Sequence, residues 1–313
     1  MTSINNQTDA VPVARALRKS RTRWRILAFV ALGLALVALA ARLAEGFQPA
    51  KDYIALVVIE GIITTDAHRM AVLEELAEDE QVRAVIVRIN SPGGSTAGGE
   101  ELYEALTKLR VEKPVVAVIN ELGASAAYMS AIATDRIFAR RLSIVGSIGV
   151  LFSHVDASGL LNTIGIDLDK VASGPLKAEP DSDEPLEGEV RASLQALVDD
   201  SYNWFVDIVS ERRGLSRPDT LELADGRIVN GRVALEAGLI DEFGGEAEAI
   251  AWLEGQEVEE DLPVLRTFPR PISDWERLNN IIGGDIASLL GLDLGGIDAV
   301  TLDGLVSVWH VGI

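Results

Sequence analysis

Three apolar runs set close together constrain this chain more than any other feature. "IALVVIEGII" (54–63), "VRAVIVRIN" (82–90) and "KPVVAVIN" (113–120) are rich in valine and isoleucine, with little polar alternation. Such runs read as strands buried on both faces. Between them lie "AHRMAVLEELAED" (67–79) and "GGEELYEALTKLRV" (98–111), whose apolar residues recur at helical spacing. Alternating units of this kind predict an α/β fold with a parallel sheet covered by helices. Further on, "ASAAYMSAIATD" reads as a short helix, and "RIFAR", "SIVGSIGV" and "KVASG" as short strands. A long helix follows over 186–213, and "GRVALEAGLIDEFGGEAEAIAWLEG" reads as two helices around a Gly-Leu-Ile-Asp turn. No internal repeat is visible. Residues 256–313 fit no element pattern and read as a tail of unassigned role.

The chain has 313 residues, enough for one large domain or two small ones, and its net charge of −20 is uneven. Residues 1–45 carry +5 and the remainder −25. So acidic a body repels nucleic acid. Cysteine is absent and the three histidines (His68, His154, His310) are far apart, which argues against thiolate or His-based metal sites. Residues 26–41 are an unbroken apolar run. With Trp24 at the interface and Arg25 and Arg42 reaching outward, the span extends to 24–44, long enough for a bilayer. The basic segment 1–23 before it predicts a cytoplasmic N-terminus and an extracytoplasmic body. The competing reading is a cleaved signal peptide, since Ala38-Leu39-Ala40 fits a small-x-small site.

Two stretches invite a chemical reading. "INSPGGSTAGG" (89–99) stands at the end of a strand, where paired glycines let the backbone turn its N–H groups toward an oxyanion. An ordinary Pro-Gly turn explains the same residues. It is neither a P-loop nor a dinucleotide fingerprint. In "GASAA", Ser125 stands between a strand and a helix expected near Ala126, as a nucleophile does at a strand-to-helix elbow. Close helix–sheet packing with an incidental serine fits equally. A nucleophilic serine needs a base. Past residue 45 there are five lysines: Lys51, Lys108, Lys113, Lys170 and Lys177. A lysine acts as a base only when neutral, which requires burial, and Lys177 in "SGPLKAEP" also reads as a surface residue of an acidic loop.

Taken in order, "RINSPGG", "GASAAYMSAIATDRIFA", "VGSIGV", "SGPLKAEP" and "DGRIVNGRVALEAGLIDEFGG" resemble the signal peptide peptidase A family (peptidase family S49) of the ClpP/crotonase-like superfamily. The resemblance covers residues 54–255 and implies a spiral of repeated β-α units behind an N-terminal membrane helix. It implies a Ser/Lys dyad with no cofactor. Ser125 is then the nucleophile, Lys177 the general base and Ser147 the residue that orients the lysine. Gly94 and Ala126 donate backbone N–H groups to the oxyanion, and Gly93 shapes their loop. The implied substrates are peptides such as signal-peptide remnants in the membrane, cut by a ring of identical subunits that share serine and lysine between neighbours. Ala126 stands where the family often has glycine, and the residues after Lys177 are unusually acidic. Two other classes remain open: an acyl-CoA enzyme of the crotonase type, and a non-catalytic membrane scaffold on the same fold.

Overall fold

A computed structural model describes residues 24, 25, 27–34, 36, 52–270 and 306–308. The chain divides into two units, 1–51 and 52–313. In the first, the described residues are helical, and Trp24, Phe29, Leu32 and Leu34 are exposed. Among the described residues no helix is long and apolar enough to cross a membrane. The rest of the span expected at 24–44 lies outside them, as do most of residues 271–313.

The second unit follows the expected alternation. β1 (Tyr53–Ile63), α1 (Ala67–Glu78), β2 (Val82–Ser95), α2 (Thr96–Glu112), β3 (Val115–Ala124), α3 (Ala126–Ile132) and β4 (Arg136–Ala139) are successive parallel strands with helical crossovers. Their side chains sort by period two. Ala55, Val57 and Ile59 enter one core with α1 and α2, while Ile54, Leu56 and Val58 enter a second core on the opposite face. Burial on both faces is why these strands need no polar alternation. Leu106 of α2 is fully buried in the first core, and its truncation to alanine is expected to cost about 2–5 kcal/mol. Helix starts are locally encoded: the Asp66 carboxylate accepts the N–H groups of His68 and Arg69, and Ser95 Oγ accepts that of Gly98.

After β4 come β5 (Ile144–Gly146), α4 (Ser158–Ile164), α5 (Gly188–Arg213), α6 (Arg217–Leu223), β6 (Ile228–Asn230), α7 (Gly231–Glu236), β7 (Glu242–Phe243), α8 (Glu246–Glu254), β8 (Val264–Phe268) and β9 (Val306–Val308). The main path of the sheet runs β6-β5-β3-β2-β1-β8, with β4 on β3, β7 on β4 and β9 on β2.

Four expectations need correction. The sheet is mixed: β6 is antiparallel to β5, and β9 to β2. β2 does not stop before Ser-Pro-Gly-Gly but runs through it to Ser95, because both neighbours still offer partners there, Ile62 and Ile63 of β1 and Gly123 of β3. Of "SIVGSIGV" only Ile144–Gly146 is strand, since Ser147 turns to φ 51°. "KVASG" is no strand: Lys170 is tied to Glu179 and Asp181, and Val171 is fully exposed, so the apolar residues find no ladder to join.

Candidate active site

The site residues stand at the carboxyl ends of adjacent strands, where α/β sheets open a crevice. In the parallel register, Ser91 of β2 faces Gly123 of β3. Gly94 and Ala126 each lie three residues beyond that pair, Gly94 still in β2 and Ala126 at the start of α3. Ala124 of β3 faces Gly146 of β5, and the Ser125 N–H donates to Gly146 O at 2.9 Å. Ser125 and Ser147 are therefore neighbours on the next pair of strand ends.

Ser125 adopts φ 59°, ψ −123°, caps α3, and is 1% exposed. That backbone region is sparsely populated by residues with a Cβ and costs about 1–3 kcal/mol. Its carbonyl accepts the N–H groups of Tyr128 and Met129 at 2.8 and 3.0 Å, which starts the helix. The Ala126 N–H belongs to the first helical turn and so has no acceptor within the helix. Small residues allow the packing: a Cβ on Gly99 of α2 would stand 2.9 Å from the Ala126 Cβ and 2.8 Å from Met129 Sδ.

The Gly-Gly loop is equally committed. Gly93 has φ 107°, and its N–H donates to Ser91 Oγ at 3.1 Å, while that hydroxyl donates to Gly61 O at 2.6 Å. Gly93 thus spends its N–H on the shape of the loop. A Cβ on Gly94 would lie 1.7 Å from Ile63 O, so only glycine fits. Along this same stretch β9 pairs antiparallel, Gly93 with Val308 and Ser95 with Val306.

Ser147 takes φ 51°, is largely buried, and donates its N–H to Arg227 O at 2.8 Å. Arg227 is itself held by a fork to Asp225, whose carboxyl is pulled down to about 2 by hydrogen bonds from the Arg227 side chain and backbone. Gly226 N–H donates to Ile148 O at 3.1 Å. The Asp-Gly-Arg turn is therefore a clamp on the segment that carries Ser147, a role its sequence did not reveal. Farther along the same motif, Asp241 accepts two hydrogen bonds from Arg213 and the Ile137 N–H, and the buried Tyr128 hydroxyl donates to Leu239 O. Burial pushes the Tyr128 phenol far above its ordinary range, so it keeps the proton that it donates.

Lysine and histidine stand differently. Lys113 Nζ is engaged by the carbonyls of Asp79 and Val82, and Lys170 by two carboxylates. Lys177 is exposed in a turn closed by its own N–H to Gly174 O at 3.2 Å. His154 is half-buried, with Nε2 3.2 Å from Glu184 O. Among the described residues no cluster of histidine and carboxylate groups is placed to hold a metal ion.

Residues 107–259 match the family model described as Peptidase family S49. The chain is 38% identical over 201 residues to a Synechocystis protein provisionally named a protease, covering 64% of this chain and 72% of that one. The chain belongs to peptidase family S49. It is also 38% identical over 182 residues to a provisionally named protease of Methanocaldococcus jannaschii, covering 58% of each. An Enterococcus faecium protein provisionally named signal peptide peptidase SppA is 30% identical over 242 residues, covering 76% of this chain and 67% of that one. Of the motifs read from the sequence, those containing Gly94, Ser125 and Ser147 fall on the strand ends just described, whereas Lys177 lies in an exposed turn on no strand. A ClpP1 mutant from Listeria monocytogenes superposes with a TM-score of 0.40 at 14% identity, over 62% of this chain and 92% of that one, too slight a likeness to carry a conclusion.

Proposed function

We propose that this protein is a membrane-anchored serine endopeptidase with a Ser/Lys dyad, acting outside the cytoplasm on signal-peptide remnants and similar membrane-associated peptides. The observation that carries it is the backbone of Ser125: a non-glycine residue at φ 59°, ψ −123° between a buried strand and a helix, the strained turn of a nucleophile elbow. Membership of peptidase family S49 supports the same reading.

The chemistry runs as follows. Ser125 Oγ attacks the scissile carbonyl carbon while its proton passes to Lys177 Nζ. The N–H groups of Gly94 and Ala126 hold the oxyanion, a contribution of about 2.7–4 kcal/mol per donor. The C–N bond breaks as Lys177 returns the proton to the leaving amine. Water, deprotonated by the same lysine, then releases the acyl group from Ser125. Ser147 accepts a hydrogen bond from the ammonium and fixes its direction.

A base must be shielded from water, yet Lys177 is exposed in the single chain. The stretch around it is also apolar and uncovered: Val155, Leu160, Ile164, Leu168 and Val171 are exposed, and α4 buries none of its residues. A second copy of the chain in a ring covers both, bringing Lys177 to the neighbour's Ser125. The test is turnover of a fluorogenic peptide by wild type, Ser125→Ala and Lys177→Ala, with circular dichroism for each. Both variants should fold and lose turnover; wild-type rates in either would overturn the dyad.

A further inference from the structure

A cavity of about 330 Å³ opens where α2 begins, against α3 and α5. Thr96, Ala97, Glu100, Asp200, Ser201 and Trp204 line it, with the buried Met129 behind them. Trp204 is braced edge-on by Tyr103, with ring centroids 5.8 Å apart at 85°. The walls are therefore firm. Both carboxylates are exposed, and among the described residues neither is paired with a lysine or arginine. An indole face beside two unpaired carboxylates suits an alkyl stem with a cationic head.

Its position along the bound peptide follows from strand direction. β9 shows that Gly93–Ser95 accepts an extended chain running antiparallel. A chain in that register passes Gly94, then Ser95, then Thr96 as it is traced toward its own N-terminus. The cavity begins at Thr96, so it takes a side chain on the N-terminal side of the bond that lies at Gly94.

We propose that this cavity is a specificity subsite for a lysine or arginine side chain of the peptide substrate, within the three residues that precede the cleaved bond. The stem lies against Ala97 and Trp204, and the cation meets Glu100 and Asp200. This assignment rests on the peptidase reading for its place in catalysis, but binding tests it separately.

The probes are fluorescently labelled peptides, identical except for lysine, norleucine or glutamate scanned over those three positions. Binding to the full-length Ser125→Ala protein is followed by fluorescence anisotropy. At one position lysine should bind roughly tenfold more tightly than norleucine, about 1.4 kcal/mol, with glutamate weakest. The gap should narrow in high salt. Glu100→Gln with Asp200→Asn should bind lysine and norleucine peptides alike, with norleucine affinity unchanged. Equal binding of the two peptides at all three positions, or a lysine preference that survives the double substitution, overturns the proposal. Wild-type turnover of the same peptides reads the peptidase function by itself: selective binding without turnover supports the subsite and overturns the enzyme.

Discussion

Gly94 has the least freedom of any residue at the site. An alanine there drives its Cβ against the Ile63 backbone, which cannot move without parting β1 from β2. Gly94→Ala should lower stability by about 1–3 kcal/mol in chemical denaturation and abolish peptide turnover. Tyr53 offers a pH-dependent counterpart. Burial, then the nearby Asp79 charge and the hydrogen bond to it, push its phenol up to about 12. A raised value means that the folded state favours the neutral form. The contribution is complete below the ordinary tyrosine value near 10 and is lost as pH rises toward 12. Tyr53→Phe should therefore flatten the fall of stability between those limits, measured by urea denaturation. At this scale the sequence was partly legible. A strand followed by small residues marked Ser125 as a candidate, but its positive φ, and that of Ser147, could not be read: left-handed backbone is signalled by glycine, and here neighbouring strands impose it on serine.

Elements were legible where their own residues suffice to define them. β1, α1, α2, β3 and α5 bury enough of a regular face to show their period, and they lie close to where apolar spacing put them. The misreadings are all cases in which a partner decides. β2 continues through two glycines because β1 and β3 continue beside it, whereas "KVASG" has the composition of a strand and no neighbour. Two ion pairs hold the β7 end of the sheet, Arg136 with Glu242 and Arg213 with Asp241. Arg213 binds both oxygens of Asp241 and also Gly238 O, which fixes the turn before β7 against β4. Asp241→Asn should cost about 2–3 kcal/mol by weakening a charge-assisted pair that also orders the Ile137 N–H, and the loss should register as a lower thermal midpoint.

For the whole molecule, the exposed apolar stretch 151–176 and the exposed Lys177 belong to one question. If neighbouring copies complete each other, Ser125→Ala subunits retain a working lysine and Lys177→Ala subunits a working serine. Unfolding and refolding the two inactive proteins together should then restore part of the wild-type turnover, while each refolded alone stays inactive. Complementation that fails, with mixed assemblies confirmed by native mass spectrometry, places serine and lysine in the same subunit. Nothing in residue spacing distinguishes those two arrangements, since 52 positions separate Ser125 from Lys177 along the chain in either case.

β3 changes neighbours part-way along its length. Residues 116–119 pair with β4 and residues 122–124 with β5, and the join is held by Ser143, whose Oγ meets the carbonyls of Ile119 and Asn120 and accepts the Arg140 N–H. The strand is thus one covalent element with two separable opening reactions. Amide hydrogens of residues 116–119 should exchange with deuterium only through global unfolding, while those of 122–125 and 144–147 exchange through a local excursion of lower free energy. Ser143→Ala should speed exchange in the second set and leave the first unchanged. The nucleophile's surroundings would then loosen without any loss of the core that supports them.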